Sequence, residues 1–184
     1  LTAKEIVRLA IESETPSISY TYTEPTIFYE YMVEIAIEAR EKGIKNIIVS
    51  NGYINREPLL ELIPLIDAAN IDLKSFDPII HKELTGGELE PILDSIKLLK
   101  EGGIHLELTH LMIPTYSDNL KTFEEMVTWL VKSGFKESPL HISRFFPKHK
   151  LSHLTPTPKE VIIEAVKIAE RAGIDYVYPG NIFF

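Results

Sequence analysis

Apolar positions along the chain switch repeatedly between a helical spacing and a strict alternation, and each switch marks a change of element. Residues 2–14 place Ile6, Leu9 and Ala10 on one helical face, and residues 17–23 then alternate as a strand. The same reading predicts helices over 28–42, 57–68, 91–101, 119–133 and 157–172, with a short helical turn over 78–84. Strands are predicted over 45–50, 71–74, 105–112, 140–145 and 175–178. Thr157, Pro158 and Glu160 read as N-cap, first helical residue and capping-box partner of the last helix. Residues 149–158 read as a long loop inside one domain covering 1–184. Six strands alternating with helices imply parallel strands and right-handed crossovers, in a doubly wound sheet or a (β/α) barrel, whole or partial. No glycine-rich phosphate loop follows the first strand, which weakens a dinucleotide-binding fold.

The strands are not uniformly apolar, as strands covered on both faces would be. Residues two apart share a face. Ser19, Thr21 and Thr23 therefore oppose Ile18, Tyr20 and Tyr22. Asn70, Asp72 and Lys74 form a second polar row, His105, Glu107 and Thr109 a third, and His141 and Ser143 a fourth. Burying a lone polar group costs roughly 2–7 kcal/mol. The rows should therefore face water, one another or a polar ligand, on the concave side of an open barrel with its helices outside. A salt-bridged barrel interior is the competing reading. Catalytic groups of such barrels gather at the C-terminal strand ends, and the polar residues reach those ends.

Composition narrows the chemistry. The chain has 184 residues, 45% hydrophobic and 25% charged, which suits one domain with a core. Its net charge of -8 and lack of a basic cluster larger than Lys148-His149-Lys150 disfavour a nucleic-acid partner. No apolar run has the length of a membrane span, so a cytoplasmic protein is expected. There is no cysteine, which removes disulfides, thiol nucleophiles and thiolate metal sites from this chain. The six histidines lack HxH or HExxH spacing, so no metal site is expected. His105 and His110 read as core residues, and His81, His149 and His153 as surface or loop residues.

The strand exits carry four short motifs, each open to two readings. Glu24-Pro25 is a helix-start glutamate or a carboxylate for an ammonium group. Ser50-Asn51-Gly52 is a plain turn or a polar contact set. Asp72-Leu73-Lys74 is a salt bridge or half of a ligand clamp. His141 is a hydrogen-bonded core residue or a site residue.

Their order resembles that of radical S-adenosylmethionine (SAM) enzymes of the pyruvate formate-lyase activating branch. The phrases Ser19–Thr26, Ile71–Phe76, His141–Phe145 and Tyr176–Asn181 are similar to the AmmeMemoRadiSam-type members over nearly the whole chain. The resemblance implies a partial (β/α) TIM-type barrel of about six parallel strands with helices on the outer face. It also implies SAM contacts at Thr23 and Glu24 (amino group), Ser50 and Asn51 (ribose and carboxylate side), Asp72 and Lys74 (SAM or its carboxylate) and His141 (ribose). Tyr22-Thr23 stand where the family has two glycines. Arg144 lies in a family phrase without an implied contact. The family's CxxxCxxC segment is absent, so the resemblance implies a piece truncated at both ends. Only the full-length protein would hold a [4Fe–4S] cluster, cleave SAM reductively to a 5′-deoxyadenosyl radical, and use a donor such as flavodoxin or ferredoxin. Its hydrogen-atom source would be a glycyl-radical protein or a small molecule, and this piece alone would be inactive. Two other classes compete: a non-catalytic α/β binding domain, and a lyase forming a Schiff base at Lys74. The latter needs a neutral amine, which Asp72 two residues away opposes.

Overall fold

In a computed structural model of the chain, residues 1–182 are described. Phe183 and Phe184, the end of the expected domain, lie outside the described residues. Six strands follow one another in one sheet in chain order. They are β1 (Ser17–Tyr20), β2 (Lys45–Ser50), β3 (Ala68–Asp72), β4 (His105–Met112), β5 (Leu140–Arg144) and β6 (Val177–Gly180). A doubly wound sheet reverses its strand order at a switch point. This order has no reversal, and the pairings β1–β2, β2–β3, β4–β5 and β5–β6 are all parallel. That is the strand succession of a (β/α) barrel, as expected. The residues group into two compact units, Leu1–Ile71 with Pro91–Leu106, and Asp72–Glu90 with the chain from Glu107.

In the first unit, helix α1 (Ala3–Glu12) starts on a capping box, with Thr2 accepting from the Glu5 amide and the Glu5 carboxylate accepting from Thr2 N. Helix α2 (Tyr29–Glu41) joins β1 to β2 and buries Met32, Ile35, Ala36 and Ala39. Asn46, fully buried in β2, has every polar atom met. Its side chain donates to the carbonyls of Ala36 and Leu65 and accepts from the Tyr20 hydroxyl, and its amide donates to Asp67. Burial pushes the Tyr20 phenol well above its ordinary value.

Three elements differ in extent from the sequence reading here. The helix predicted over 57–68 is α3 (Arg56–Leu62) followed by a 3-10 turn at Ile63–Leu65, where Pro64 cannot continue the helical ladder. Ala68 and Ala69, helix formers by propensity, instead pair with Ile47 and Ile48, so β3 starts three residues before its predicted start and ends at Asp72. The first strand is shorter than predicted: pairing stops at Tyr20, and Tyr22 is 90% exposed rather than sharing the buried face.

In the second unit, α4 (Pro78–Thr85) is capped by Asp77, α6 (Leu120–Lys132) by Asn119, and α7 (Lys159–Ala172) packs on β5, β6 and α6. Helix α5 (Glu90–Glu101) returns the chain to β4 through the first unit. The predicted cap of α7 is overturned. Thr157 is fully buried, and its hydroxyl donates to the Met112 carbonyl and accepts from the Phe145 amide, so it ties β4 to β5; α7 begins after Pro158 without a side-chain cap. The last strand lies two residues later than predicted, at Val177–Gly180.

His81 is also corrected. It is fully buried on α4 with Nδ1 at 3.2 Å from the Ser75 carbonyl, not at the surface. Of the two histidines expected in the core, His105 is exposed and His110 is buried, with Nδ1 at 2.7 Å from the Leu73 carbonyl and Nε2 at 3.2 Å from that of Ser117. Burial lowers both imidazoles, outweighing their carbonyl partners. A histidine whose folded pKa is depressed binds its proton more readily when unfolded. Stability is therefore complete above the ordinary value of about 6.5 and falls as pH drops below it. Urea unfolding should show stability declining as the pH is taken below about 6.5. A flat profile there would contradict the assignment.

Candidate functional site

The polar rows of β3, β4 and β5 survive folding, whereas the row Ser19, Thr21 and Thr23 does not, because β1 ends at Tyr20. In β3, Ala69 and Ile71 are buried while Asn70 and Asp72 are half-buried. In β4, Leu106, Leu108, His110 and Met112 are buried, and Glu107, Thr109 and Leu111 lie on the accessible face. In β5, Leu140 and Ile142 are buried and His141 and Ser143 are accessible. One face of these strands packs the core and the other presents the polar groups.

In the first unit, Glu24 ends the segment after β1 and caps the 3-10 turn Pro25–Phe28. Its Oε1 accepts from the Ser50 hydroxyl at 2.7 Å and, more weakly, from the amide and hydroxyl of Thr26 at 3.4 and 3.3 Å. Its Oε2 accepts from the Asn51 amide at 2.8 Å. The carboxylate is thus fixed across the exits of β1 and β2. Asn51 turns its Oδ1 onto the Tyr53 amide at 2.7 Å, and the Gly52 amide donates to Ser50 Oγ at 3.0 Å. Three of the predicted residues, Glu24, Ser50 and Asn51, therefore form one hydrogen-bonded cluster. Thr23 is next to it in the chain and exposed.

In the second unit, Lys74 Nζ meets Asp72 Oδ2 at 2.6 Å, both side chains about one-third exposed. The Leu73 amide donates to the Thr109 carbonyl, which sets Asp72 opposite Thr109 in a parallel ladder. Thr109 pairs with His141 and His141 with Tyr178. Asp72, Thr109, His141 and Tyr178 therefore form one transverse row. Although His141 is the second residue of β5, it stands level with the exit of β3, because β5 starts high in the sheet.

His141 Nε2 lies 2.7 Å from Glu107 Oε2, and its ring stacks on Tyr178 with centroids 5.4 Å apart and planes at 28°. Neither Glu107 nor Tyr178 was among the sequence-predicted site residues. Glu107 stood in the polar row of β4, but its pairing with His141, 34 residues away, needs the strand register to be seen. Arg144, without an implied contact, has a structural one. Its Nε donates to the Thr157 carbonyl at 2.6 Å and its guanidinium lies 4.9 Å from the centre of the Phe146 ring, closing the loop after β5.

The cavity beneath Ser50 and Gly52 measures about 10 Å³, and its walls are mainly aliphatic. Two open grooves, of about 450 Å³ along α6 and about 500 Å³ beside His149, include none of the seven predicted residues. Among the described residues no group of three or more acidic, histidine or cysteine side chains is placed to hold a metal ion, and no helix is long and apolar enough to cross a membrane.

Comparison with known proteins gives a consistent picture. The profile of the Radical SAM superfamily matches residues 1–130. An uncharacterized protein of Methanocaldococcus jannaschii is 42% identical over 182 residues, covering 99% of this chain and 54% of its own length. The 4-hydroxyphenylacetate decarboxylase activating enzyme of Clostridium scatologenes is 29% identical over 122 residues, covering 65% of this chain and 39% of that protein. The chain thus spans about half the length, or less, of these relatives. Among solved structures, a domain of pyruvate-formate lyase-activating enzyme from Bacteroides vulgatus superposes with a TM-score of 0.74 at 19% identity, covering 90% of this chain and 99% of that one. SuiB of Streptococcus suis bound to S-adenosylmethionine gives a TM-score of 0.75 at 14% identity, covering 98% of this chain and 43% of that one. At such identities these two likenesses show the fold.

Proposed function

This chain belongs to the Radical SAM superfamily, and from that premise we propose that the C-terminal ends of its strands bind SAM. In the first unit the residues are Thr23, Glu24, Ser50 and Asn51; in the second they are Asp72, Lys74 and His141. One observation carries the reading: in β3, β4 and β5 polar side chains occupy the accessible face while the opposite face packs the core, and at the exit of β2 the Glu24 carboxylate is held by Ser50 and Asn51. SAM presents an ammonium, a carboxylate, a sulfonium and a ribose with two hydroxyls. The donor and acceptor types here suit it. The Glu24 carboxylate, anchored by Ser50 and Asn51, holds a fixed negative charge that favours the ammonium group. Lys74 offers a cation to the carboxylate, with Asp72 orienting it. His141 offers a ring nitrogen to the ribose.

The superfamily's chemistry joins SAM to a [4Fe–4S] cluster, whose electron cleaves SAM to a 5′-deoxyadenosyl radical. This chain has no cysteine and so supplies none of the thiolates such a cluster needs. Its residues bind and orient SAM, and the chain by itself generates no radical. For the whole protein, the decarboxylase activating enzyme among its relatives supports hydrogen abstraction from a protein, and the proposal extends to a cytoplasmic enzyme with an electron donor of the flavodoxin or ferredoxin kind. A Schiff-base role for Lys74 is disfavoured, because its amine is ion-paired with Asp72 at 2.6 Å. A purely non-catalytic binding domain would share the SAM site and differ only in the whole protein's activity.

Amide chemical shifts of the isotope-labelled chain, followed while SAM is added, test the proposal. Saturable changes are expected at 23–24, 50–51, 72–74 and 141. Lys74→Met should weaken binding about tenfold, the loss of one charge-assisted bond. No change up to millimolar SAM, or changes confined to the groove along α6, would sink it.

A further inference from the structure

We infer that Glu107 is a positioning residue that fixes His141 as a hydrogen-bond acceptor at Nδ1, making this part of the site a reader of ligand hydroxyl groups. The inference deepens the SAM reading and rests on it for the choice of ligand, but its first test needs no ligand.

An ionised carboxylate only accepts hydrogen bonds, whereas a neutral imidazole carries one N–H and one lone pair. His141 Nε2 lies 2.7 Å from Glu107 Oε2, so the proton of the neutral ring belongs on Nε2. Nδ1 is then left as a lone pair. The partner on one ring nitrogen sets the state of the other, as it does for metal-bound histidines.

The ring is also held in orientation. Tyr178, its ladder neighbour on β6, stacks on one face at 5.4 Å, while Glu107 fixes the rotation about the ring's attachment. Both His141 and Glu107 are one-third exposed, so the pair is shielded on one side and open on the other. The row on which His141 stands also holds Thr109 and Asp72, so the acceptor lies on the polar face proposed to meet the ligand.

A fixed acceptor has a chemical consequence. It favours a ligand with an O–H to donate and rejects one that has lost it, because the bare lone pair is then left unmatched. Ribose hydroxyls are the donors that SAM offers here. The carboxylate thus contributes to selectivity for ribo- over deoxyribonucleoside ligands without touching the ligand itself.

Nitrogen-15 shifts of the His141 ring, recorded at pH 8 in the ligand-free chain, should show Nε2 as the protonated nitrogen and Nδ1 as the bare one. Finding the proton on Nδ1 would overturn the inference, whatever SAM does. Glu107→Gln should fold but lose the bias, because an amide both donates and accepts; the two ring nitrogens should then move toward averaged shifts. Unchanged shifts in that variant would equally overturn it. The second arm compares SAM with its 2′-deoxy and 3′-deoxy analogues by the same amide titration. The native chain should prefer SAM over at least one analogue by about tenfold, and Glu107→Gln should erase most of that preference. If SAM shifts no residue while the ring shifts are as expected, the ligand assignment fails and the positioning role stands.

Discussion

Replacing Gly52 with alanine is expected to remove about 3–4 kcal/mol of folding stability, from two costs that act together. Gly52 has φ of +73°, the left-handed region, where a side-chain-bearing residue loses roughly 1–2 kcal/mol. An alanine Cβ built there would lie 2.8 Å from Ile71 Cγ2 and 3.3 Å from Ile92 Cγ2. Neither neighbour yields easily. Ile71 is 1% exposed and sits in β3 opposite Ser50, so moving it disturbs the ladder that holds the site's second strand. Overpacking of this kind costs about 1–3 kcal/mol. A double-mutant cycle with Ile71→Ala separates the two costs. In the Ile71→Ala background the Gly52→Ala substitution should cost only the backbone share, giving a coupling of about 2 kcal/mol in urea unfolding. Coupling near zero would mean that the tight approach to Ile71 does not matter.

How much of this was legible beforehand varied with the kind of signal. Lys45–Ser50 and His105–Met112 are readable to the residue, the first as an apolar run Ile47–Val49 and the second by alternation, each flanked by glycines. Ser17–Thr23 was overread: its alternation of Tyr and Thr runs on past the last ladder pair at Tyr20, and alternation carries no record of where a neighbouring strand stops. Ala68 reads as helix because helix propensity is local, whereas its pairing with β2 is set at a distance. Thr157 followed by Pro158 and Glu160 matches a capping signature, yet its hydroxyl is taken by the Met112 carbonyl in β4 and the Phe145 amide just after β5. The short turn around His81 gave no sign of which side would be buried. The site divides in the same way. Each strand-exit motif was visible and ambiguous, and the order of the motifs, rather than any one, carried the family. Glu107 could not be singled out until strand register showed it beside His141.

Glu24→Ala is expected to cost about 3 kcal/mol, although Glu24 is only half-buried, because of what it leaves behind. The Glu24 carboxylate accepts from Ser50 Oγ and from the Asn51 amide, and Ser50 is 4% exposed. Removing it strands two donors where little water reaches, at about 1–3 kcal/mol each. Both donors lie at the exit of β2, so the loss should also loosen the turn that presents Asn51. Glu24→Gln provides the discriminating comparison. Its carbonyl oxygen can accept from one donor, but its NH₂ would then face the other, so about half the loss should remain. If Glu24 served only as a direct partner of the SAM ammonium, both variants would unfold at the native urea midpoint and differ solely in SAM titration. If it clamps the two strand exits, stability and ligand affinity should fall together, with Glu24→Gln intermediate in both. Equal stability of Glu24→Ala and the native chain, within about 0.5 kcal/mol, would contradict the clamp, since surface substitutions away from any special feature usually stay within that range.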